Sequence, residues 1–574
     1  MIRRMTALVA LLLLVVPISA APLRDEAVSS RDGLVVCTSA PACDAGTGIL
    51  ARGGNAVDAA VATAFALAVT HPSAGNLGGG GFMLVRTPNG DATTFDYREK
   101  APLKATRTMY LRDGQIDISL TNAGYLAPGV PGTVRGLALA HKRFGKLPWK
   151  ELVMPAVQLA EEGFVLSDAL SKSLNKQLSG AMGRFPTSVE AYGKPGGGRW
   201  ASGDRIVLKE LGKTLRAIAT NGPDVFYKGW IADRIAEDAA ANGGLITKDD
   251  LAKYEAKERT PIRGQFRGFD IITMPPPSSG GVALIEMLNI LEPFDLKSKG
   301  RNTAESMHLQ IEAMRRAYLD RARFLGDPDF VHVPIADLIS KEHARTLSGS
   351  IDPLKATNSV ELGKDIVTVT AQEPDETTHF SVIDRNGTAV SNTYTLEGGF
   401  GSRVVVKGAG FLLNNEMGDF NKNPGVTDLT GNIGTPANLI DPGKRMLSSM
   451  TPVIVAKNGR VVLITGSPGG RTIINTVLSV VLGVTEFGLG VRDAVDAPRM
   501  HHQWLPDAVT IERDGTTEEV VQKLRAMGHT VNVAGTQGDA NSIEVDEGGR
   551  ATGAADRRSP DGKTSIPRGL TSRR

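Results

Sequence analysis

Two adjacent threonines, Thr377 and Thr378, stand at the entrance to a segment with the pattern of a β-hairpin. Phe380 and Val382 alternate with polar residues, the turn dipeptide Asn386-Gly387 follows, and apolar alternation resumes after it. Because β-branched residues suit strands, periodicity alone explains the pair as two threonines on a sheet edge. A threonine hydroxyl can also act as a nucleophile when a base lies beside it. The pair is therefore a candidate nucleophile that other parts of the sequence must support.

A second candidate functional element, here for binding an anion, is the segment Gly466–Gly483 ("GSPGGRTIINTVLSVVLG"). In it a predicted strand passes through glycines into an apolar helix. The first backbone N–H groups of a helix have no partner within it, so this turn can bind an anion or a developing oxyanion. The glycine run Gly75–Val85 has the reverse order, because a helix precedes it and a strand follows. It also lacks the lysine and hydroxyl residue of a phosphate-binding loop, which argues against nucleotide binding.

The elements that would position these residues form a helical region and a strand-rich region. Asn55–Val69 is predicted to be a buried helix capped by Asn55. The other stretches with helical character are Trp149–Glu162, Leu208–Thr220, Val282–Leu291 and Ala304–Phe324. The predicted strands after the first hairpin are Gly410–Asn415, Pro452–Ala456 and Val461–Thr465. This order predicts sheets enclosed between helical layers, with Val360–Glu376 as an exposed linker and a frayed tail beyond about Gly548.

The N-terminus has the pattern of a secretory signal. Arg3 and Arg4 precede the apolar run Ala7–Val16, and small residues follow at Ala20, where a signal peptidase would cut. No later segment offers about eighteen uninterrupted apolar residues, so we expect no membrane association. We therefore expect residues 1–20 to be removed and the mature protein to be exported, to a periplasmic or extracellular location.

Composition excludes several classes of protein. Apolar residues make up 41% and charged residues 22% of the 574 residues, which is ordinary for a globular protein. The formal net charge of +3 gives no reason to expect a nucleic-acid partner. The nine histidines show no metal-ligand grouping, so we expect no metal site. Cys37 and Cys43 are close enough in sequence to form a local disulfide after export, a pairing that the sequence leaves open.

Eight sequence blocks, in order, closely resemble the γ-glutamyltranspeptidases, and the likeness runs from roughly residue 30 to residue 555. The blocks are "GNLGGGGFMLV" (Gly75–Val85), "DYREKAP" (Asp96–Pro102), "MPPPSSGG" (Met274–Gly281), "TTHFSVID" (Thr377–Asp384), "LLNNEMGDF" (Leu412–Phe420), "KRMLSSM" (Lys444–Met450), "TGSPGG" (Thr465–Gly470) and "HHQWLPD" (His501–Asp507).

The resemblance implies an α+β fold, the four-layer αββα sandwich of the N-terminal nucleophile hydrolases. It also implies an inactive precursor that cuts its own chain between Glu376 and Thr377. Residues 21–376 would then be the large subunit and residues 377–574 the small subunit of a heterodimer. The freed α-amine of Thr377 has an ordinary pKa of about 7.7–8.0, so it can act as the base for the hydroxyl of the same residue.

The resemblance further assigns a role to each of ten residues. Thr377 is the nucleophile, Thr395 orients it, and the backbone N–H groups of Gly469 and Gly470 bind the oxyanion. Arg98, Ser448 and Ser449 would bind the α-carboxylate of a γ-glutamyl donor, and Glu416 and Asp419 its α-ammonium. The sequence departs from the family pattern at Glu397, where an asparagine often stands; we expect this residue to contact the donor.

The implied activity is γ-glutamyl hydrolysis and transfer without a cofactor. Glutathione or another γ-glutamyl amide would be the donor, and water, an amino acid or a dipeptide the acceptor. The lid segment Asn423–Lys444 has no aromatic residue to shut it, which predicts that water competes well with amino-acid acceptors. Two alternatives stay open, an acylase for glutaryl-type or cephalosporin side chains on the same scaffold and an exported binding protein without activity.

Overall fold

The computed structural model describes residues 27–366 and 377–568. The strands in these ranges are β1 (Val28–Ser30), β2 (Gly33–Cys37), β3 (Gly80–Arg86), β4 (Ala92–Asp96), β5 (Leu111–Arg112), β6 (Gln115–Ile116), β7 (Phe164–Val165), β8 (Arg205–Ile206), β9 (Lys257–Arg259), β10 (Ile262–Phe266), β11 (Phe269–Thr273), β12 (Thr378–Asp384), β13 (Ala389–Thr395), β14 (Val453–Lys457), β15 (Arg460–Thr465), β16 (Met500–His501), β17 (Val509–Glu512), β18 (Val531–Ala534), β19 (Ser542–Val545), β20 (Ala551–Ala554) and β21 (Lys563–Ser565).

The helices in the same ranges are α1 (Ala40–Ala51), α2 (Ala56–Thr70), α3 (Ser119–Asn122), α4 (Thr133–Phe144), α5 (Trp149–Glu161), α6 (Asp168–Leu178), α7 (Pro186–Tyr192), α8 (Lys209–Asn221), α9 (Asp224–Tyr227), α10 (Trp230–Ala241), α11 (Lys248–Ala252), α12 (Gly280–Leu291), α13 (Leu296–Lys299), α14 (Ala304–Phe324), α15 (Ile335–Leu338), α16 (Lys341–Gly349), α17 (Ser359–Leu362), α18 (Thr472–Thr485), α19 (Val491–Asp496) and α20 (Glu518–Ala526). None of them is long and apolar enough to cross a membrane.

Two seven-stranded sheets form the centre of the molecule. The first has the order β1-β20-β19-β15-β14-β11-β10 and the second the order β21-β2-β12-β13-β3-β4-β9, with antiparallel pairing throughout. Helices α12, α18 and α19 contact the first sheet, and α1, α2 and α4 contact the second. The prediction of a four-layer αββα sandwich is therefore confirmed.

Apolar side chains fill the space between the sheets, because alternate residues of each strand point inward. Leu84 and Ile383 from the second sheet meet Ile454, Ile464 and Ile543 from the first. Larger apolar clusters lie on the outer face of each sheet, beneath the helices. Each sheet is thus buried on both faces, which holds its strands in a single register.

The buried helix α2 begins as predicted. The side chain of Asn55 accepts a hydrogen bond from the N–H of Asp58, and the Asp58 carboxylate accepts one from the N–H of Asn55. Every residue of the helix is buried. A disulfide joins Cys37, at the end of β2, to Cys43 in α1, which settles the pairing that the sequence left open.

Two expectations for local structure are wrong, and a third is tested only in part. Gly410–Asn415 is not a regular strand, since its only β-pairings in the described structure are isolated bridges at Leu412 and Leu413. The chain beyond Gly548 is not frayed as far as Arg568, because β20 joins the first sheet and β21 the second. The proposed linker from Val360 begins within α17 (Ser359–Leu362), and its residues 367–376 lie outside the described residues.

Candidate active site

The hairpin β12–β13 lies in the middle of the second sheet and positions the two threonines. Strand β12 pairs with β2 on one side and with β13 on the other, so Thr377 and Thr378 do not lie on a sheet edge. Thr378 pairs with Tyr394 in the antiparallel ladder, so extending the register by one residue brings Thr377 opposite Thr395. This arrangement is the one that a nucleophile and an adjacent orienting hydroxyl require.

Thr395 and Glu397 are joined by a tight local turn. The Oγ1 atom of Thr395 accepts a hydrogen bond of 2.7 Å from the backbone N–H of Glu397. Glu397 has a φ of +77°, a left-handed conformation that is unusual for a residue with a side chain. Its carboxylate accepts a hydrogen bond from the amide of Asn415 and lies on the wall of the same cavity as Thr395.

Arg98 follows β4 and is the centre of a buried charge cluster. One guanidinium nitrogen lies 2.5 Å from the Oε2 atom of Glu416, and another donates to Asp419. The guanidinium also donates to the carbonyls of Met446 (3.3 Å) and Leu447 (3.2 Å). Burial alone would lower the pKa of Arg98, but attraction by the neighbouring carboxylates raises it above its ordinary value. Arg98 is therefore a permanent cation at the cavity wall.

Glu416 has fewer partners than its burial would demand. Its side chain is fully buried, yet neither carboxylate oxygen accepts a hydrogen bond of normal geometry within the described structure, despite the short ion-pair distance to Arg98. Burial raises the pKa of Glu416 well above its ordinary value, and attraction by Arg98 opposes the shift. The negative charges of Glu99, Asp419 and Glu397 raise this pKa further. A cationic ligand would supply the hydrogen bonds that this carboxylate lacks.

The pair Ser448-Ser449 is held against the segment Met274–Gly281. The Ser279 N–H and hydroxyl both donate to the carbonyl of Ser448, at 2.7 and 2.6 Å, and the Ser448 N–H donates to the carbonyl of Pro277. The Ser449 hydroxyl accepts a hydrogen bond of 3.1 Å from Arg321. The Ser448 hydroxyl accepts one from the N–H of Met450. Both hydroxyl hydrogens can therefore be donated to a carboxylate in the cavity.

Gly469 and Gly470 form the turn between β15 and α18, with φ values of +125° and +53°. Their carbonyls accept from the N–H groups of Thr472 and Ile473, which start the helix. The described residues provide no acceptor for the N–H groups of the two glycines themselves. Gly470 lies on the cavity wall and Gly469 immediately precedes it. The turn thus has the free donors that an oxyanion site needs.

A single cavity brings these groups together. Its empty volume is about 830 Å³, open solvent at its mouth included, and nine of the ten residues that the sequence assigned to the site line it; these are Arg98, Thr377, Thr395, Glu397, Glu416, Asp419, Ser448, Ser449 and Gly470. The tenth, Gly469, is adjacent. Glu376, the other residue of the expected cleavage site, lies outside the described residues.

Sequence reasoning missed three cations on the cavity wall, namely Arg321, Lys422 and Arg471. Arg321 lies near the end of the long helix α14 and binds both Ser279 and Ser449. Arg471 donates to the carbonyl of Gly431 in the lid segment, at 2.8 Å. No local pattern marks Arg321 and Arg471 as functional, because the groups that they contact are distant in sequence. Lys422 donates to the carbonyl of Gly418, four residues away, a contact that carries no functional signal.

Comparison with known proteins gives consistent matches over most of the chain. The family model of gamma-glutamyltranspeptidase matches residues 42–566. The glutathione hydrolase proenzyme of Escherichia coli (strain K12) is 47% identical over 541 residues, which cover 94% of this chain and 92% of the relative. The acylase ACY 1 proenzyme of Pseudomonas sp. (strain SE83) is 37% identical over 556 residues, covering 94% of this chain and 95% of the relative.

Solved structures agree with these matches. The cephalosporin acylase from Bacillus halodurans superimposes with a TM-score of 0.83 at 27% identity, over 97% of this chain and 99% of that chain. The gamma-glutamyltranspeptidase of Helicobacter pylori gives a TM-score of 0.54 at 44% identity, over 55% of this chain and 91% of that chain.

Proposed function

Because the chain belongs to the gamma-glutamyltranspeptidase family, we propose that it hydrolyses and transfers the γ-glutamyl group of glutathione and of other γ-glutamyl amides. One observation carries the proposal. A single cavity combines the paired threonines Thr377 and Thr395 with Arg98, two hydroxyls and the poorly satisfied carboxylate of Glu416. The paired threonines suit acyl transfer. Arg98, the two hydroxyls and Glu416 suit the amino-acid end of a γ-glutamyl donor.

We propose that the enzyme first forms from a precursor. The Thr377 hydroxyl attacks the carbonyl carbon of Glu376, the peptide C–N bond breaks, and the acyl group moves from nitrogen to oxygen. Water then hydrolyses this ester, which leaves a carboxylate on Glu376 and a free α-amine on Thr377. In the complete scheme residues 1–20 are a signal peptide that directs export, and residues 21–376 and 377–574 are the two subunits.

In turnover, the α-amine of Thr377 accepts the proton of its own hydroxyl, and the oxygen attacks the γ-carbonyl carbon of the donor. The N–H groups of Gly469 and Gly470 stabilise the oxyanion, and losing one such donor typically costs about 2.7–4 kcal/mol of transition-state stabilisation. The tetrahedral intermediate then collapses, the C–N bond breaks, and the ammonium on Thr377 returns the proton to the leaving amine. Water or an amino-acid amine next attacks the acyl-threonine ester.

When the donor binds, Arg98, Glu416 and Asp419 must give up part of their ion pairs with one another and pair with the donor's charged groups instead. The α-carboxylate of the donor would bind Arg98 and the hydroxyls of Ser448 and Ser449. The α-ammonium would supply hydrogen bonds to Glu416 and Asp419, with Glu397 as a third carboxylate nearby. Each buried charge would keep an opposite charge beside it through this exchange, which avoids a large desolvation cost.

The acylase alternative has support from relatives with that name. A glutaryl donor lacks the α-ammonium, so its carboxylate would be a fourth anion beside Glu416, Asp419 and Glu397 with only Arg98 to share, which is unfavourable. Purified protein should therefore cleave γ-glutamyl-p-nitroanilide at least about tenfold more efficiently than glutaryl-p-nitroanilide. Equal or reversed efficiency would favour the acylase, and no cleavage of either compound would favour a binding protein.

The lid segment Asn423–Lys444 bears on the fate of the acyl-enzyme. It has no aromatic side chain, and its residues Asn432 and Ile433 reach the cavity wall. We expect water to enter readily, so glutamate release should exceed formation of γ-glutamyl-glycylglycine at modest glycylglycine concentration. A large excess of the transfer product would show that the lid excludes water without an aromatic residue.

A further inference from the structure

A second group of chemically active side chains lies in the helical layer outside the first sheet. Glu286 on α12, Asp320 on α14 and His343 on α16 each place one ligand atom within 4.8 Å of the other two. The Nε2 atom of His343 lies 2.7 Å from Oδ2 of Asp320 and 3.9 Å from Oε1 of Glu286. Three separate helices therefore converge on one point, which no spacing along the chain reveals.

Glu286 is the unusual member of this group. Its side chain is 1% exposed on a helix whose other residues are mostly apolar, among them Ile285 and Met287. Its Oε1 atom has no hydrogen-bond partner among the described residues and faces the imidazole of His343. A buried carboxylate oxygen without a hydrogen-bond donor costs free energy, and a bound cation would remove that cost.

The surrounding basic groups that the structure describes favour Asp320 and leave Glu286 without a counter-charge of its own. Arg323 lies 3.7 Å from Oδ1 of Asp320 but also binds Asp365, and no basic side chain other than the partly exposed His343 pairs with Glu286 in the described structure. Oδ1 of Asp320 thus faces Arg323, and Oδ2 faces the imidazole of His343. Two carboxylates this close in an apolar layer repel each other unless a cation or a proton lies between them.

We propose that Glu286, Asp320 and His343 bind a divalent transition-metal ion, with Zn²⁺ as the best match. One imidazole nitrogen and two carboxylate oxygens are a donor set that Zn²⁺ accepts, at about 2.0–2.2 Å from each ligand atom. The observed separations of 2.7 and 3.9 Å bracket the spacing of about 3.3 Å between two ligands of a tetrahedral ion with such bond lengths. The side chain of His343 is 30% exposed, which gives the ion a route to the group.

The role that fits this place is structural. The ion would tie α12, α14 and α16 together, and α14 carries Arg321, the residue after Asp320, which donates to Ser449 at the cavity wall. A second group of possible ligands, His308, Glu312 and His529, is a poorer site. There Glu312 already binds two arginines and Thr357, and the two imidazoles hydrogen-bond each other.

Calorimetric titration of the full-length protein with ZnCl₂, after dialysis against EDTA, tests the proposal. We expect one saturable site per chain, and a rise in the unfolding temperature with Zn²⁺ that is absent with EDTA. Glu286→Gln preserves shape but weakens the ligand, so it should weaken binding by at least about tenfold, as should His343→Gln. His332→Gln, which changes an exposed histidine elsewhere, should leave affinity and stoichiometry unchanged.

The proposal fails if no saturable site is found, or if Glu286→Gln binds Zn²⁺ as tightly as the parent protein. It also fails if Glu286→Gln is more stable than the parent in EDTA and the parent shows no response to Zn²⁺. A proton shared between the carboxyl groups of Glu286 and Asp320 would then explain why the two lie so close together. Circular dichroism confirms that each variant is folded. These measurements use the metal alone and are independent of the activity on γ-glutamyl amides.

Discussion

The cavity combines two groups of residues that are built in different ways. Thr377 and Thr395 are positioned by the backbone ladder of a hairpin in the middle of a sheet, where both neighbouring strands hold the register. Arg98, Glu416 and Asp419 are positioned by loops and a short 3₁₀ helix, and they hold one another through side-chain charge. The first group is fixed by main-chain hydrogen bonds, and the second by interactions that a ligand can replace.

This difference teaches where the site tolerates change. Bond making needs the reacting atoms held within a fraction of an ångström, and the sheet provides that without help from the substrate. Recognition of the donor needs charges that stay satisfied both with and without a ligand, and mutual ion pairs provide that. Substitutions in the first group should abolish function, and substitutions in the second should change affinity by degrees.

The largest effect is expected for Thr377→Ala. Without the hydroxyl neither chain cleavage nor acyl transfer can occur, so a denaturing gel should show one band and γ-glutamyl-p-nitroanilide should remain uncleaved. Thr377→Ser keeps a hydroxyl and is the matched control, which should yield two fragments and measurable turnover. An alanine variant that still matures would show that another residue is the nucleophile.

A smaller, graded effect is expected for Arg98→Lys. Lysine keeps the positive charge but loses the planar fork, so we expect KM for the donor to rise about tenfold to a hundredfold, equivalent to about 1.5–3 kcal/mol, with a smaller change in kcat. Arg216→Lys, an exposed residue on α8 paired with Glu161, is the control and should leave both constants unchanged. A fall in kcat with constant KM would contradict a role in ground-state binding.

Local sequence pattern predicted the elements better than the contacts between them. The helix over Ala304–Phe324 has the predicted bounds, because its period and caps are local properties. The expectation that the tail containing β20 and β21 frays is wrong; its glycines and serines suit turns, and two of its pairing partners, β1 and β2, lie hundreds of residues away. The disulfide between Cys37 and Cys43 could be suggested but not decided.

The site shows the same limit. The hairpin pattern alone placed Thr377 beside a strand, and the resemblance to a family supplied its role and those of the other nine residues. Neither indicated that Arg321 would reach Ser449, or that Glu286, Asp320 and His343 would meet. Such contacts depend on how distant helices are arranged by the core, which no periodicity along the chain encodes.

Arg321→Gln tests a residue that supports the charged group from behind. Arg321 donates to the hydroxyls of Ser279 and Ser449, so its loss should let Ser449 turn away from the donor carboxylate. We expect KM to rise about threefold to tenfold while kcat stays within about twofold, because one hydrogen bond contributes roughly 1 kcal/mol. Arg345→Gln, on the exposed face of α16, is the control. An unchanged KM would mean that Ser449 keeps its position without Arg321.

The last effect concerns the pH dependence of stability and acts through Glu99 beside Arg98. Burial raises the pKa of Glu99 to about 8, with attraction by Arg98 opposing the shift, so the folded protein holds a proton that the unfolded chain releases above about pH 4.5. The stabilisation of the folded state by this bound proton is therefore fully present below about pH 4.5 and is lost as the pH rises toward 8.

Urea unfolding measures this difference between Glu99→Gln and the parent protein at pH 5, 6.5 and 8. The free energy of unfolding of the parent should fall relative to the variant by at most about 1.4 kcal/mol per pH unit, the limit for one proton. A constant difference across this range would show that Glu99 stays ionised. The attraction of Arg98 would then outweigh the cost of burying the negative charge of Glu99.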